Sequence, residues 1–128
     1  MRRVLLADGA ASGRELLRIL LEHEGYEVFE ASDGREAVEK ARALLPDLVL
    51  LDLDLPVGDG YAAARELRLD ERLENCCIVA LTAGAGGRDS ERVVNAGFNG
   101  SIAKPVVPRV LREQLARLSP MFPGDGKA

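Results

Sequence analysis

The chain predicts an α/β fold, a doubly wound parallel sheet of five strands, on three observations. Short apolar runs alternate with segments whose apolar residues recur at helical spacing. Three runs, Val4 to Ala7, Leu48 to Leu51 and Ile78 to Leu81, contain no polar residue, which suits strands covered on both faces. Five strand–helix pairs fit within 118 residues, the spacing of successive βαβ units.

Val4 to Ala7 is the first strand. The following helix carries Leu16, Leu17, Leu20 and Leu21 on one face, with Ser12 and Glu15 at capping-box spacing and Gly25 at its C-terminal stop. Tyr26 to Ala31 alternates as the second strand. Asp33 and Glu36 open a helix with Ala37, Ala41 and Leu44, ended by Pro46. Leu48 to Asp52 is the third strand, and a helix runs from about Asp59 to Leu69. Cys76 to Leu81 is the fourth strand, and the helix from about Asp89 to Asn95 is stopped by Gly97. Gly100 to Ala103 is a short fifth strand, and the last helix aligns Val107, Leu111, Leu115 and Leu118. Right-handed crossovers place helices on both faces of the sheet. With the three most apolar strands as neighbours, the order is 2-1-3-4-5, a flavodoxin-like three-layer sandwich. The expected domain is 1–118. Ser119 to Ala128, with Pro120, Pro123, Gly124 and Gly126, reads as a flexible tail or linker.

The 128 residues suffice for one core, and 47% hydrophobic with 30% charged residues is ordinary for a globular domain. A net charge of −4 argues against nucleic acid or an anionic membrane as partner, since both call for a basic face. No apolar run approaches the roughly 20 residues of a membrane span, and Val4 to Ala7 is too short for a signal-peptide core. A cytoplasmic location is expected. Cys76 and Cys77 are adjacent, so on a strand they point to opposite faces and read as small buried apolar side chains. There is no CxxC or zinc spacing. His23 is the only histidine, read as a surface helix residue, which argues against histidine-cluster metal sites and a Ser-His-Asp triad.

In an open α/β sheet, ligands bind beyond the carboxyl ends of the strands. There the strand ends bring Asp8, Asp52, Thr82 and Lys104 to one edge. Two acids, a hydroxyl and a lysine suit a site that holds a dication and handles a phosphoryl group: carboxylates coordinate Mg²⁺, while Lys and Thr contact phosphoryl oxygens. Asp52-Leu53-Asp54 is also similar to the nucleophile motif of haloacid-dehalogenase-type phosphatases. That motif normally follows the first strand, Pro56 stands where a Thr or Val is expected, and there is no room for a cap domain. An enzyme is therefore not expected. Gly84-Ala85-Gly86-Gly87 matches neither GxxxxGK[ST] nor GxGxxG and reads as a mobile loop before the fourth helix.

Over about residues 2 to 118 the chain resembles the receiver domain of bacterial two-component response regulators. The matching motifs are Leu50 to Pro56 with Asp59-Gly60, then Ala80-Leu81-Thr82-Ala83, then Ala96-Gly97 followed by Lys104-Pro105. The resemblance implies that Asp52 is the phospho-acceptor, taking its phosphoryl group from a histidine kinase or phosphotransfer protein. It also implies that Thr82 is the switch hydroxyl, Lys104 binds the phosphoryl group, and Lys104-Pro105 is cis. The metal ligands it implies are Asp8, Asp52 and the backbone carbonyl of Asp54. A downstream protein, or a second copy, would meet the face formed by the fourth helix, fifth strand and fifth helix. Two positions depart from the pattern: Gly9 stands where the family usually has a second acid that ligates Mg²⁺, and Ser101 where it often has an aromatic. Weak Mg²⁺ binding is therefore expected. The alternative is a pseudo-receiver, a binding module that works regardless of phosphorylation. The chain is either a stand-alone receiver or one module of a larger protein.

Overall fold

The computed structural model describes residues 2–83 and 90–122. Its elements are β1 (Arg3–Ala7), α1 (Ala11–His23), β2 (Glu27–Ala31), α2 (Gly34–Leu44), β3 (Leu48–Asp52), α3 (Gly60–Arg68), β4 (Cys77–Thr82), α4 (Ser90–Asn95), β5 (Gly100–Ala103) and α5 (Pro108–Leu118), with 3₁₀ turns at Glu71–Leu73 and Ser119–Met121. The strands form one parallel sheet in the order β2-β1-β3-β4-β5. Among the described residues, no helix is long and apolar enough to cross a membrane. The Gly84 to Gly87 segment lies outside the described residues.

Alternation within the central strands divides the core into two layers. Leu5, Ala7, Val49, Leu51, Ile78 and Ala80 pack with Ala37, Val38 and Ala41 of α2 and Ala63, Ala64 and Leu67 of α3. On the other face Val4, Leu6, Leu48, Leu50, Val79 and Leu81 pack with Leu17 and Leu21 of α1 and Leu111, Leu115 and Leu118 of α5. Cys76 and Cys77 fall in opposite layers, both buried.

Burial holds the Cys76 thiol up to about 12 and the Cys77 thiol up to about 11. Both values exceed the roughly 8.5 of an unfolded cysteine. The folded state therefore holds these protons longer, and the stability that depends on neutral thiols falls as pH rises above about 8.5. Denaturant titrations between about pH 8 and 9, below the ordinary lysine and tyrosine range, should show this decline. A Cys76→Ala/Cys77→Ala variant should show a shallower slope, and an equal slope would refute the assignment.

Local sequence signals misplaced four features. Leu16 is 55% exposed, because α1 rests on the sheet through Leu17 and Leu21 and leaves Leu16 about 100° around the helix. Ser12 does not cap α1: the helix begins at Ala11, with Ala10 as its N-cap. There Asp8 Oδ1 accepts the Ala10 N–H at 2.9 Å and starts the turn early. Val107 is the exposed N-cap of α5 rather than part of its buried stripe, since Pro108 takes the first helical position. The expected tail from Ser119 instead opens with a 3₁₀ turn that buries Phe122, whose ring meets Tyr26 edge-on and lies 5.0 Å from the Arg2 guanidinium carbon. Residues 123–128 of that expected tail lie outside the described residues.

Candidate functional site

The strand ends bring three of the four predicted side chains into contact. Asp52 is the last residue of β3 and 9% exposed, and Asp8 directly follows β1 at 1%. Lys104 directly follows β5 and reaches back across the sheet edge. Its Nζ donates to Asp52 Oδ2 at 2.5 Å and lies 3.1 Å from Asp8 Oδ2. Thr82 ends β4, buried, and its backbone carbonyl accepts the Lys104 N–H at 2.8 Å, which holds the lysine at this edge. The Lys104-Pro105 peptide is cis.

Asp52 is oriented from its other side by its own loop. Its Oδ1 accepts the Asp54 N–H at 2.9 Å, while the Asp54 side chain is exposed. The loop then turns directly into α3, capped by Asp59, whose Oδ1 accepts the Ala62 N–H at 2.9 Å. Gly60 is required here, because a Cβ on it would collide with the Asp52 carbonyl oxygen. On the far side the Pro56 carbonyl accepts the Gly34 N–H at 3.0 Å, tying the loop to the start of α2.

Asp8 carries the unusual feature of the site. Its Oδ2 is fully buried and, among the described residues, has no hydrogen-bond partner; Lys104 is close enough for charge attraction but out of line for a hydrogen bond. Unpaired buried carboxylate oxygens are costly, so this one is available to a cation. Burial would pull the Lys104 ammonium below the usual lysine range, but the hydrogen bond to Asp52 and the negative charges of Asp52 and Asp8 outweigh burial and raise it. The lysine thus stays charged at neutral pH.

Gly9 offers no side chain to this cluster, and no group of three or more His, Cys, Asp or Glu residues among those described is placed to hold a metal. Ser101 sits exposed on β5, opposite Ala80. One residue escaped the sequence reading. Arg14, in the first turns of α1, donates to the Asp8 carbonyl oxygen at 2.7 Å and to Glu30 Oε1 at 2.8 Å, fixing the strand end that presents the Asp8 carboxylate. A long cation six residues past a strand-end acid, in the first turn of the helix that follows, was the available signal.

The family model described as the response regulator receiver domain matches residues 4–116. The polar-differentiation response regulator DivK of Brucella ovis is 35% identical over 111 residues, 86% of this chain and 90% of that protein. The chemotaxis response regulator CheY4 of Vibrio cholerae superposes with a TM-score of 0.88 at 30% identity, covering 92% of this chain and 98% of that one. The receiver domain of the sensor histidine kinase PA1611 from Pseudomonas aeruginosa gives a TM-score of 0.84 at 36% identity, covering 91% and 95%, and has a magnesium ion coordinated in its active-site cleft.

Proposed function

The chain belongs to the response regulator receiver domain family of two-component signalling, and from that premise we propose that Asp52 is its phospho-acceptor. The observation that carries the reading is the contact of Lys104 Nζ with both Asp52 Oδ2 and Asp8 Oδ2 at the carboxyl edge of the sheet. A carboxylate oxygen of Asp52 attacks phosphorus of a phosphohistidine on a kinase or phosphotransfer protein. A P–O bond forms as the P–N bond breaks, and the electron pair leaves with the imidazole. Lys104 keeps its proton throughout and offsets the charge gathered on the equatorial oxygens. The protein is an acceptor in this exchange and not a turnover enzyme.

The donor set suits a hard, oxygen-loving cation, with the orphaned Asp8 Oδ2 as the structural sign. Asp8, Asp52 and the Asp54 backbone carbonyl would hold Mg²⁺, which supplies charge neutralisation at the transferring phosphoryl group. With Gly9 in place of a further acid, affinity is weak. After transfer, the Thr82 hydroxyl and the Lys104 ammonium contact the phosphoryl oxygens and bias the face of α4, β5 and α5, where a downstream protein or a second copy docks. Ser101 lacks the bulk to take part as an aromatic would, so the signal passes through other contacts of that face.

Incubation with a small acyl phosphate and Mg²⁺, followed by intact-mass measurement, is the direct test. One added phosphoryl group is expected in the native chain, gained slowly because Mg²⁺ binds weakly, and none in Asp52→Asn. No addition in the native chain, with addition restored in Gly9→Asp, would instead make this a phosphorylation-independent binding module.

A further inference from the structure

Asp8 is the one acid offered at the end of β1, since Gly9 has no side chain, so a cation held there depends on where a single carboxylate points. Three hydrogen bonds fix it. Its N–H donates to the Ala31 carbonyl of β2 at 3.2 Å, its Oδ1 accepts the Ala10 N–H at 2.9 Å, and its backbone carbonyl accepts Arg14 Nη1 at 2.7 Å. With both backbone groups and one carboxylate oxygen held, Oδ2 is left in its buried position without a hydrogen bond. The first two bonds use backbone partners that any residue supplies. The third exists only because position 14 is an arginine. The Arg14 N–H pairs with the Ala10 carbonyl at 2.9 Å in the first turn of α1, and a helical side chain leans toward the N-terminus of its helix, here toward the end of β1. Glu30 of β2 orients the guanidinium in turn: Nε donates to Glu30 Oε1 at 2.8 Å, while Arg18 Nε lies 3.0 Å from Glu30 Oε2. The Arg14 side chain is 19% exposed, so this is not a loose surface pair.

We propose that Arg14 is a positioning residue for the cation site: held by Glu30, it fixes the Asp8 carbonyl and through it the direction in which Asp8 Oδ2 faces the site. The inference rests on the reading of Asp8 as a cation ligand. Ligating groups have to be held within about 0.5 Å of the productive geometry, and loss of a partner one shell out typically costs about 10–100-fold in metal affinity. Charge alone acts in the opposite direction. A guanidinium near a dication repels it, so an electrostatic role for Arg14 predicts tighter binding once the charge is removed. A purely structural role predicts a lower melting temperature and an unchanged affinity in the folded chain. The three roles therefore differ in the sign of one measurement.

Titration with Mg²⁺ alone, followed by backbone amide shifts in NMR spectra, reads affinity and folding together. Arg14→Met is expected to bind Mg²⁺ about tenfold more weakly than the native chain. Arg14→Lys keeps the charge, but an ammonium cannot span Asp8 and Glu30 as the planar fork does, so it too should bind more weakly, by less than Arg14→Met. Equal or tighter binding in a folded Arg14→Met overturns the proposal. Should that variant not fold, Arg14→Lys decides in its place, and native affinity there overturns it. Asp8→Asn keeps the two readings apart. Native affinity in Asp8→Asn defeats Asp8 as a ligand, and the positioning role falls with it, as it does if the native chain shows no response to Mg²⁺. Affinity lost in Asp8→Asn but native in both Arg14 variants defeats the positioning role alone.

Discussion

Gly9→Asp is expected to raise the affinity for Mg²⁺ by about 10–100-fold or more, since even partners one shell out from a metal are worth that much and this position would supply a ligand. Space permits the change. A Cβ at position 9 would come 3.2 Å from Pro56 Cδ and 3.7 Å from the Ser32 carbonyl oxygen, so the proline ring must give by only a few tenths of an ångström. Charge drives it, because a third carboxylate beside Asp8 and Asp52 takes the cluster from −1 to −2 around the one ammonium of Lys104. The same repulsion should lower the stability of the metal-free variant, and Mg²⁺ should restore it, because a ligand that binds only the folded state stabilises it by mass action. Thermal melts with chelator and with Mg²⁺ should therefore diverge in Gly9→Asp far more than in the native chain. Gly9→Asn, of similar volume but uncharged, separates charge from packing and should reproduce neither effect. Calorimetry that finds the native affinity in a folded Gly9→Asp would sink the account of position 9.

The sheet and its reactive edge were legible because they depend on pattern more than on detail. Val4 to Ala7, Leu48 to Leu51 and Ile78 to Leu81 have no polar residue to place in water, so they had to be covered on both faces. Once they neighbour one another, the residues that end them share an edge, which is how Asp8, Asp52 and Lys104 come together from positions 44 or more apart. What the sequence concealed belongs to tertiary choices. Leu16 and Leu17 are equivalent to any periodicity argument, and only the resting angle of α1 on the sheet exposes one of them. Ser12 caps nothing because α1 already begins at Ala11, behind a turn in which the Ala10 N–H is accepted by Asp8, a residue whose sequence signal was its chemistry and not its turn. Pro120 and Pro123 suggested a loose end, yet Phe122 between them had an apolar place beside Tyr26. At the site itself, the pattern supplied the residue types, while the bridging position of Lys104 and the orphaned oxygen of Asp8 arise only in three dimensions.

Arg68 is the clearest case of a residue with no sequence signal and a large expected effect. It closes α3, and its guanidinium binds groups from four neighbouring segments. Nε donates to the Gly97 carbonyl at 2.9 Å, and Nη1 to the carbonyls of Leu73 at 3.0 Å, Glu74 at 3.2 Å and Cys76 at 2.8 Å. Nη2 donates to Asn99 Oδ1 at 2.7 Å, and that oxygen also accepts the Ile78 N–H at 2.8 Å. The fork thus joins the end of α3, the 3₁₀ turn before β4, the first residues of β4, the end of α4 and the approach to β5. Burial lowers its pKa from the ordinary arginine value without approaching neutrality, so the charge is retained. A hydrogen bond to a charged group contributes about 1.5–3 kcal/mol, and deletion leaves carbonyls that water reaches only in part. The five bonds act as a unit and do not add, so Arg68→Ala should cost about 3 kcal/mol, equivalent to a fall of roughly 10 °C in Tm for a chain of this size. Arg68→Lys should recover only a minor share, since an ammonium cannot present the planar fork that reaches both Gly97 and Asn99. Amide exchange gives the specific signature. The Ile78 N–H, whose acceptor Arg68 orients, should lose protection in Arg68→Ala by more than the global loss of stability explains. The β1–β3 amides should follow the global loss alone, because Arg68 contacts neither strand. A variant within about 0.5 kcal/mol of the native chain, the ordinary range for a surface substitution, would mean that the five contacts form a network without energetic weight.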